Sequence, residues 1–164
     1  QFPSSKKFKL YCERVAVAVG YLSIKIFGIH TKVGNQYAYE LGMAFQITNI
    51  VRDFKEDLNN KRCYIPSEKF MKYGLKKKLN NLTKNSERIE LVLQEMLNDA
   101  DNHFKKSDYL LKSLDRNKMI GSEIMKLFYK KIHGKMYKKK INYQKKIRLN
   151  FFDKLLIFFK FSFR

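Results

Sequence analysis

Apolar residues recur along the chain at three- and four-residue steps and never alternate over any length, a period that predicts helices and no strands. Residues 10–27 are nearly continuous apolar sequence, with Tyr11, Val15, Ala18 and Leu22 at helical spacing, which predicts a buried helix. Glu13, Arg14 and Lys25 interrupt that run too often for a bilayer span. Gly28 to Gly34-Asn35 marks a connection, and a second helix is expected from Gln36 to Leu58, ending before Asn59-Asn60. Residues 61–75 read as a loop with Pro66 and one short helical turn closed by Gly74, followed by a polar linker, 76–85. Ser86 is a candidate cap for a third helix, 87–114, whose Ile89, Leu93, Met96, Ala100, Phe104 and Leu111 form an apolar stripe. A fourth helix, Lys118 to Ile132, carries Ile120, Ile124, Leu127 and Phe128 on one side and is expected to stop near Gly134. The fold class is all-α, with a helical domain over residues 1–134 and a basic amphipathic segment over 135–164.

The second helix has an unusual polar face. On a wheel of 100° per residue, Gly42, Gln46, Asn49, Asp53, Glu56 and Asp57 fall within roughly 100°, opposite Met43, Ala44, Ile47, Ile50, Val51 and Phe54. Lysine supplies 28 of the 164 residues, yet none lies between Val33 and Phe54. A solvated face in so lysine-rich a chain should carry some. Residues 10–24 are also free of lysine, whereas the lysine-free stretch 85–104 is studded with Glu and Asp and reads as solvated. Two helices are therefore expected to be interior, one of them pointing carboxylates and amides inward.

Carboxylates at i and i+4 of a helix lie about 6 Å apart. At an effective dielectric near 20 they repel by roughly 2.8 kcal/mol, enough to make a buried pair take up a proton or recruit a cation. An all-oxygen donor set suits a hard ion such as Mg²⁺, which keeps waters and uses one or two carboxylates together with substrate phosphate. The stripe thus predicts a diphosphate held through Mg²⁺ by Asp53 and Asp57, with Asn49 completing or orienting the metal shell and Arg52 pairing with phosphate oxygens. Cys12 and Cys63 fit no zinc spacing, and Cys12 reads as a small core residue.

The run QITNIVRDFKED, Gln46 to Asp57, resembles the second aspartate-rich motif of the squalene and phytoene synthases. YCERVAVAVGYLSIKIFG, Tyr11 to Gly28, resembles the helix preceding it in that family, and RCYIP, Arg62 to Pro66, fits its usual continuation. Tyr11 to Ala16 with Leu22 to Ile24 is most similar to the bacterial presqualene diphosphate synthase members. The resemblance implies an isoprenoid-synthase helical fold in which two aspartate-rich helices face each other across a cavity, each clamping a prenyl diphosphate through Mg²⁺. It implies head-to-head joining of two farnesyl diphosphates to presqualene diphosphate, with phytoene formation from two geranylgeranyl diphosphates as the alternative. By position it makes Asp53 and Asp57 metal ligands, Gln46, Asn49 and Arg52 diphosphate contacts, and Tyr11 a participant in the first half-reaction. A first aspartate-rich motif belongs upstream of the Tyr11 segment, and residues 1–10 supply none. The chain is therefore expected to be the C-terminal portion of such a domain, inactive on its own. Gly20, Gly28 and Gly42 are expected where helices or substrate approach closely.

The formal charge of +20 raises a further class, a basic helical module that binds nucleic acid or a membrane surface without catalysis. Lysine outnumbers arginine 28 to 7, whereas phosphate and base readers favour the arginine fork, so no nucleic acid partner is expected. Residues 126–164 hold 13 basic and 1 acidic side chain, and a non-catalytic reading accounts for that tail but not for the Asp53/Asp57 stripe. In the tail, Asn150 can cap a helix in which Phe151, Leu155, Phe158 and Phe159 share a face. It reads either as an interfacial membrane helix or as a terminal helix docked on the part of the domain expected to be missing from this chain. The expected location is cytoplasmic, peripheral on the inner face of the membrane.

Overall fold

The computed structural model describes residues 1–76, 82, 86–137 and 146–162. The expected linker at 76–85 and the lysine-rich stretch at 138–145 lie almost wholly outside those residues. Every regular element among the described residues is helical: α1 Ser5–Cys12, a π-helical turn Glu13–Val17, α2 Ala18–Ile26, α3 Lys32–Arg52, α4 Phe54–Asn59, α5 Ser67–Lys72, α6 Ser86–Leu111, α7 Ile120–Tyr137 and α8 Phe151–Ser162.

The helix α3 is central and packs most extensively on α6. Thr31 starts α3 by accepting the Gly34 N–H on its hydroxyl at 3.0 Å. The inner face of α6 is dry, with Ile89, Val92, Leu93, Met96, Leu97 and Ala100 all fully buried in one core with Met43, Ile47, Ile50 and Val51 of α3. The stretch expected to be solvated thus supplies one wall of the main core, and its acidic residues lie off that buried face.

The expected 10–27 helix differs most. Its buried positions are Cys12, Val17 and Ile24, whereas Val15 and Leu22, placed on the inner stripe, are 42% and 63% exposed. The π-helical turn is the cause, because one extra residue in a turn shifts every later side chain by about 100° around the axis. Tyr11 therefore faces one part of α3 while Val15, Ala16 and Val19 face another. Gly42 permits this crossing, since a Cβ there would stand 2.9 Å from the Val17 Cα and 3.1 Å from its backbone nitrogen. Gly28 does something else: with φ +74° it ends α2 in a left-handed turn rather than at a helix crossing.

The expected 36–58 helix starts earlier, at Lys32, and breaks at Asp53, whose φ of −97° and ψ of 5° close α3 and open α4. The Asp57 N–H still donates to the Asp53 carbonyl at 2.9 Å, so the break bends the stripe without dispersing it. Chain residues 2 and 3 pin the following loop, through Phe2 N–H to the Cys63 carbonyl at 3.0 Å and Ser67 N–H to the Pro3 carbonyl at 2.8 Å.

The helix α7 runs through Gly134 to Tyr137 and turns the other way from expectation. It buries Glu123, Lys126, His133 and Met136, while Ile120 is 44% exposed. The reason lies on its neighbours. Lys126 pairs with Asp108 of α6 at 3.0 Å, Glu123 with Arg116 at 3.3 Å, and His133 donates Nε2–H to the Leu97 carbonyl at 2.9 Å.

Candidate functional site

Five segments converge on one pocket. Tyr11 comes from α1, Gln46, Asn49 and Arg52 from one side of α3, Asp53 from the break, Glu56 and Asp57 from α4, and Tyr64 from the loop before α5. The pocket encloses about 270 Å³. Tyr64 stacks on Tyr11, ring centroids 5.0 Å apart and 14° from parallel, and Gln46 donates its amide N–H to the Tyr11 hydroxyl at 3.4 Å. Burial first, and then the neighbouring Tyr64, raise the Tyr11 phenol above its ordinary value. The hydroxyl is therefore held neutral, as a donor.

The carboxylates divide. Arg52 donates to both oxygens of Asp53, at 2.9 and 2.7 Å, and Lys146, from the segment before α8, reaches Asp53 at 3.0 Å and Glu56 at 2.8 Å. Burial pushes the Asp53 carboxyl up, but Arg52 and Lys146 outweigh it and hold it below the usual carboxylate value. Asp57 lies above that value, raised by burial and then by the negative charges of Asp53 and Glu56. The repulsion expected between i and i+4 carboxylates is thus resolved unequally: Asp53 has cations, Asp57 does not have enough of them. Arg52, expected to reach phosphate, spends its fork on Asp53.

Asn49 is the most telling member. Its amide oxygen is buried and has no hydrogen-bond partner among the described residues, a state that costs about 1–3 kcal/mol unless a ligand supplies the missing donor or cation. Together with Asp53 and Asp57 it forms an all-oxygen donor set in which Asp57 is short of positive charge and Asp53 already shares Arg52 and Lys146, and these donor types fit Mg²⁺. Among the described residues no group of three carboxylate, thiol or imidazole side chains gathers, so the set depends on the amide.

A second, apolar cavity of about 330 Å³ lies against the first, lined by Val15, Val19 and Ile24 of the first helical run, Phe45 of α3 and Met125 and Tyr129 of α7. Phe45 and Tyr129 stack with centroids 4.0 Å apart. Gln46 and Asn49 line both cavities and form the boundary between a polar chamber and an apolar one.

All six residues chosen from the sequence, Tyr11, Gln46, Asn49, Arg52, Asp53 and Asp57, therefore meet in one place. Three were missed. Glu56 lay in the polar arc and was passed over for the adjoining Asp57, which stands at i+4 from Asp53, Tyr64 lay in the RCYIP run with no role of its own, and Lys146 was one lysine among many in a basic tail. Cys12 and Cys63 are buried free thiols, pushed up by burial to about 12 and about 11, and contribute packing.

The sequence matches the squalene/phytoene synthase family profile over residues 1–152. It is 35% identical over 135 residues to presqualene diphosphate synthase of Zymomonas mobilis, covering 82% of this chain and 46% of that protein. It is 34% identical over 127 residues to presqualene diphosphate synthase of Rhodopseudomonas palustris, covering 77% and 46%. It is 29% identical over 126 residues to 15-cis-phytoene synthase of Pantoea ananas, covering 77% and 41%. The chain spans about half the length of the curated relatives it matches.

Proposed function

The chain belongs to the squalene/phytoene synthase family, and on that premise we propose that it holds a prenyl diphosphate across its two chambers for head-to-head condensation with a second. The observation that carries this reading is the shared boundary at Gln46 and Asn49, because an amphiphile with an anionic head and an apolar tail needs a polar and an apolar chamber in line. Farnesyl diphosphate is the substrate and presqualene diphosphate the product that the greater identity to presqualene diphosphate synthases favours over the phytoene alternative.

Asp53, Asp57 and Asn49 would hold Mg²⁺, which when bound neutralises the diphosphate and assists its departure. Lys146 and Arg52 hold Asp53 ionised and place further positive charge beside the phosphate chamber. Tyr11, kept neutral and oriented by Gln46 and Tyr64, donates a hydrogen bond to an oxygen of the departing diphosphate rather than acting as a base. The apolar chamber excludes water from the ionised allylic chain. One diphosphate is accommodated here, and joining two chains requires a second acidic site facing this one.

No described helix is long and apolar enough to cross a membrane. The reading places the protein in the cytoplasm, peripheral to the inner face of the membrane that receives its water-insoluble product.

Binding of farnesyl diphosphate with and without Mg²⁺ tests the assignment. Asp53→Asn and Asp57→Asn should each abolish the Mg²⁺-dependent part of binding and leave helical circular dichroism unchanged, and undiminished Mg²⁺ dependence in both variants removes the metal role. Tyr11→Phe should bind as the wild type does.

A further inference from the structure

The helix α8 is mounted inside out. Its inward residues are Asp153 and Ile157, each 7% exposed, whereas Phe151, Phe152, Leu156, Phe158 and Phe159 are between 55% and 73% exposed and Leu155 is 39% exposed. At 100° per residue these six large apolar side chains cover an unbroken arc of roughly 160° that faces away from the protein except at its edge, where Phe158 touches Phe128 of α7. The orientation is fixed by charge. Lys135 of α7 forms an ion pair with Asp153, and Lys131 approaches the same carboxylate at 3.6 Å. Asn150 closes the helix start reciprocally, its side-chain oxygen accepting the Asp153 N–H at 2.8 Å and its own N–H donating to Asp153 Oδ2 at 3.0 Å. A helix docked by its apolar face would place Asp153 in water; this one clamps the acid and presents the phenylalanines.

We propose that α8 is an interfacial helix whose apolar face enters an anionic lipid surface. Three observations select lipid over a protein occupant. The family match ends at residue 152, so Leu155, Leu156, Phe158 and Phe159 of the exposed arc lie beyond the part of the chain matched to the family. The arc is nearly pure hydrocarbon and phenyl, with no polar group between Phe151 and Phe159 directed outward except Lys154 at its edge, as insertion among lipid tails requires. The region is strongly positive, since residues 126–164 hold 13 basic and 1 acidic side chain and that one acid, Asp153, is engaged by Lys131 and Lys135. The proposed function enters at one point: α8 packs on α7, Phe128 against Phe158, and Met125 and Tyr129 of the same α7 line the apolar chamber, so α8 and the chamber adjoin the same helix. Vesicle binding is read without turnover, so either reading can fail alone.

The test sediments the chain with phosphatidylglycerol vesicles and with phosphatidylcholine vesicles at low and high salt, comparing wild type with Phe152→Ser/Phe159→Ser at the middle of the exposed arc. The wild type should partition onto phosphatidylglycerol, less so at high salt, and the double variant should lose about tenfold or more of that partitioning with unchanged helicity. Should the double variant misfold, Leu156→Ser alone carries the same comparison with a smaller loss. Equal binding by wild type and variant, or binding by neither, overturns the proposal. A dimer that the double variant dissociates, without vesicle binding, assigns the face to a second copy of the chain and overturns it as well.

Discussion

Along α3 and α6, the buried positions are mostly apolar, Ile47, Ile50, Leu93, Met96, Leu97 and Phe104 among them, with Thr48 and Ser107 bonded to backbone carbonyls of their own helices; along α7 and α8, they include Glu123, Lys126, His133 and Asp153 beside Met136 and Ile157. Both regions are built from amphipathic sequence, and only the first follows the rule that the apolar face turns inward. In the second, each buried polar group meets a named partner: Asp108 for Lys126, the Leu97 carbonyl for His133, Lys131 and Lys135 for Asp153. The apolar side is left for the cavity, through Met125 and Tyr129, and for the outer surface of α8. The difference teaches that orientation is set by what the neighbouring helix offers. Asp108 on α6 can accept a lysine, and a helix carrying that lysine docks by it.

The two regions should respond differently to substitution. The largest effect is expected in the dry core, where Leu93→Ala removes a fully buried side chain between α6 and α3 and should cost about 3–5 kcal/mol in denaturant unfolding. A loss under about 1 kcal/mol would show that this interface is looser than the structure has it. At the polar interface, Asp108→Ala strands the Lys126 ammonium, which burial already pushes down from its ordinary value while Asp108 holds it up. The cost should be about 2 kcal/mol, below that of a fully buried pair because Asp108 is 40% exposed to water. Adding Lys126→Met should recover most of it, since an apolar chain then fills the same space. Failure of that rescue would mean that the ion pair holds α7 in place by more than its own charge balance.

The sequence made part of this contrast visible. The α6 stripe was readable because Ile89, Leu93, Met96, Ala100 and Phe104 repeat at helical steps with acids between them. The orientation of α7 was not, because it depends on Asp108 and Leu97 in a different helix. The π-helical turn was also invisible: Glu13–Val17 contains no glycine or proline, so nothing marked the register shift that exposes Val15 and Leu22. In the site, Gln46, Asn49, Asp53 and Asp57 were found because they share one helix face, and spacing along a helix is local information. Lys146 lies 90 positions from its partner Glu56, and no local pattern could connect the two.

A smaller effect tests an intermediate case. On the outer face of α6, Glu95 accepts hydrogen bonds from Lys69 and Tyr73 and, at 2.9 Å, from Lys72, which ties α5 to α6. Burial pushes its carboxyl up, but these three donors win and hold it at about 2, against an ordinary 4.5. A depressed folded value means that the stabilisation is fully present above 4.5 and is lost as pH falls toward 2. Thermal melts across that window should therefore fall more steeply with acid for the wild type than for Glu95→Gln, with a difference of about 1 kcal/mol at neutral pH. Parallel curves would place the network among surface contacts without energetic weight.

The account rests on one ligand spanning a polar and an apolar chamber joined at Gln46 and Asn49, and equilibrium dialysis in the presence of Mg²⁺ tests it most directly. Three ligands are compared: farnesyl diphosphate, inorganic pyrophosphate with the head alone, and farnesol with the tail alone. Farnesyl diphosphate should bind more tightly than either by at least about tenfold, and Asn49→Leu, which keeps the branched shape but removes the unpaired oxygen, should bring its affinity down toward that of farnesol. Pyrophosphate binding as tightly as farnesyl diphosphate, or an Asn49→Leu protein that binds it unchanged, would contradict the claim that the two chambers act as one site.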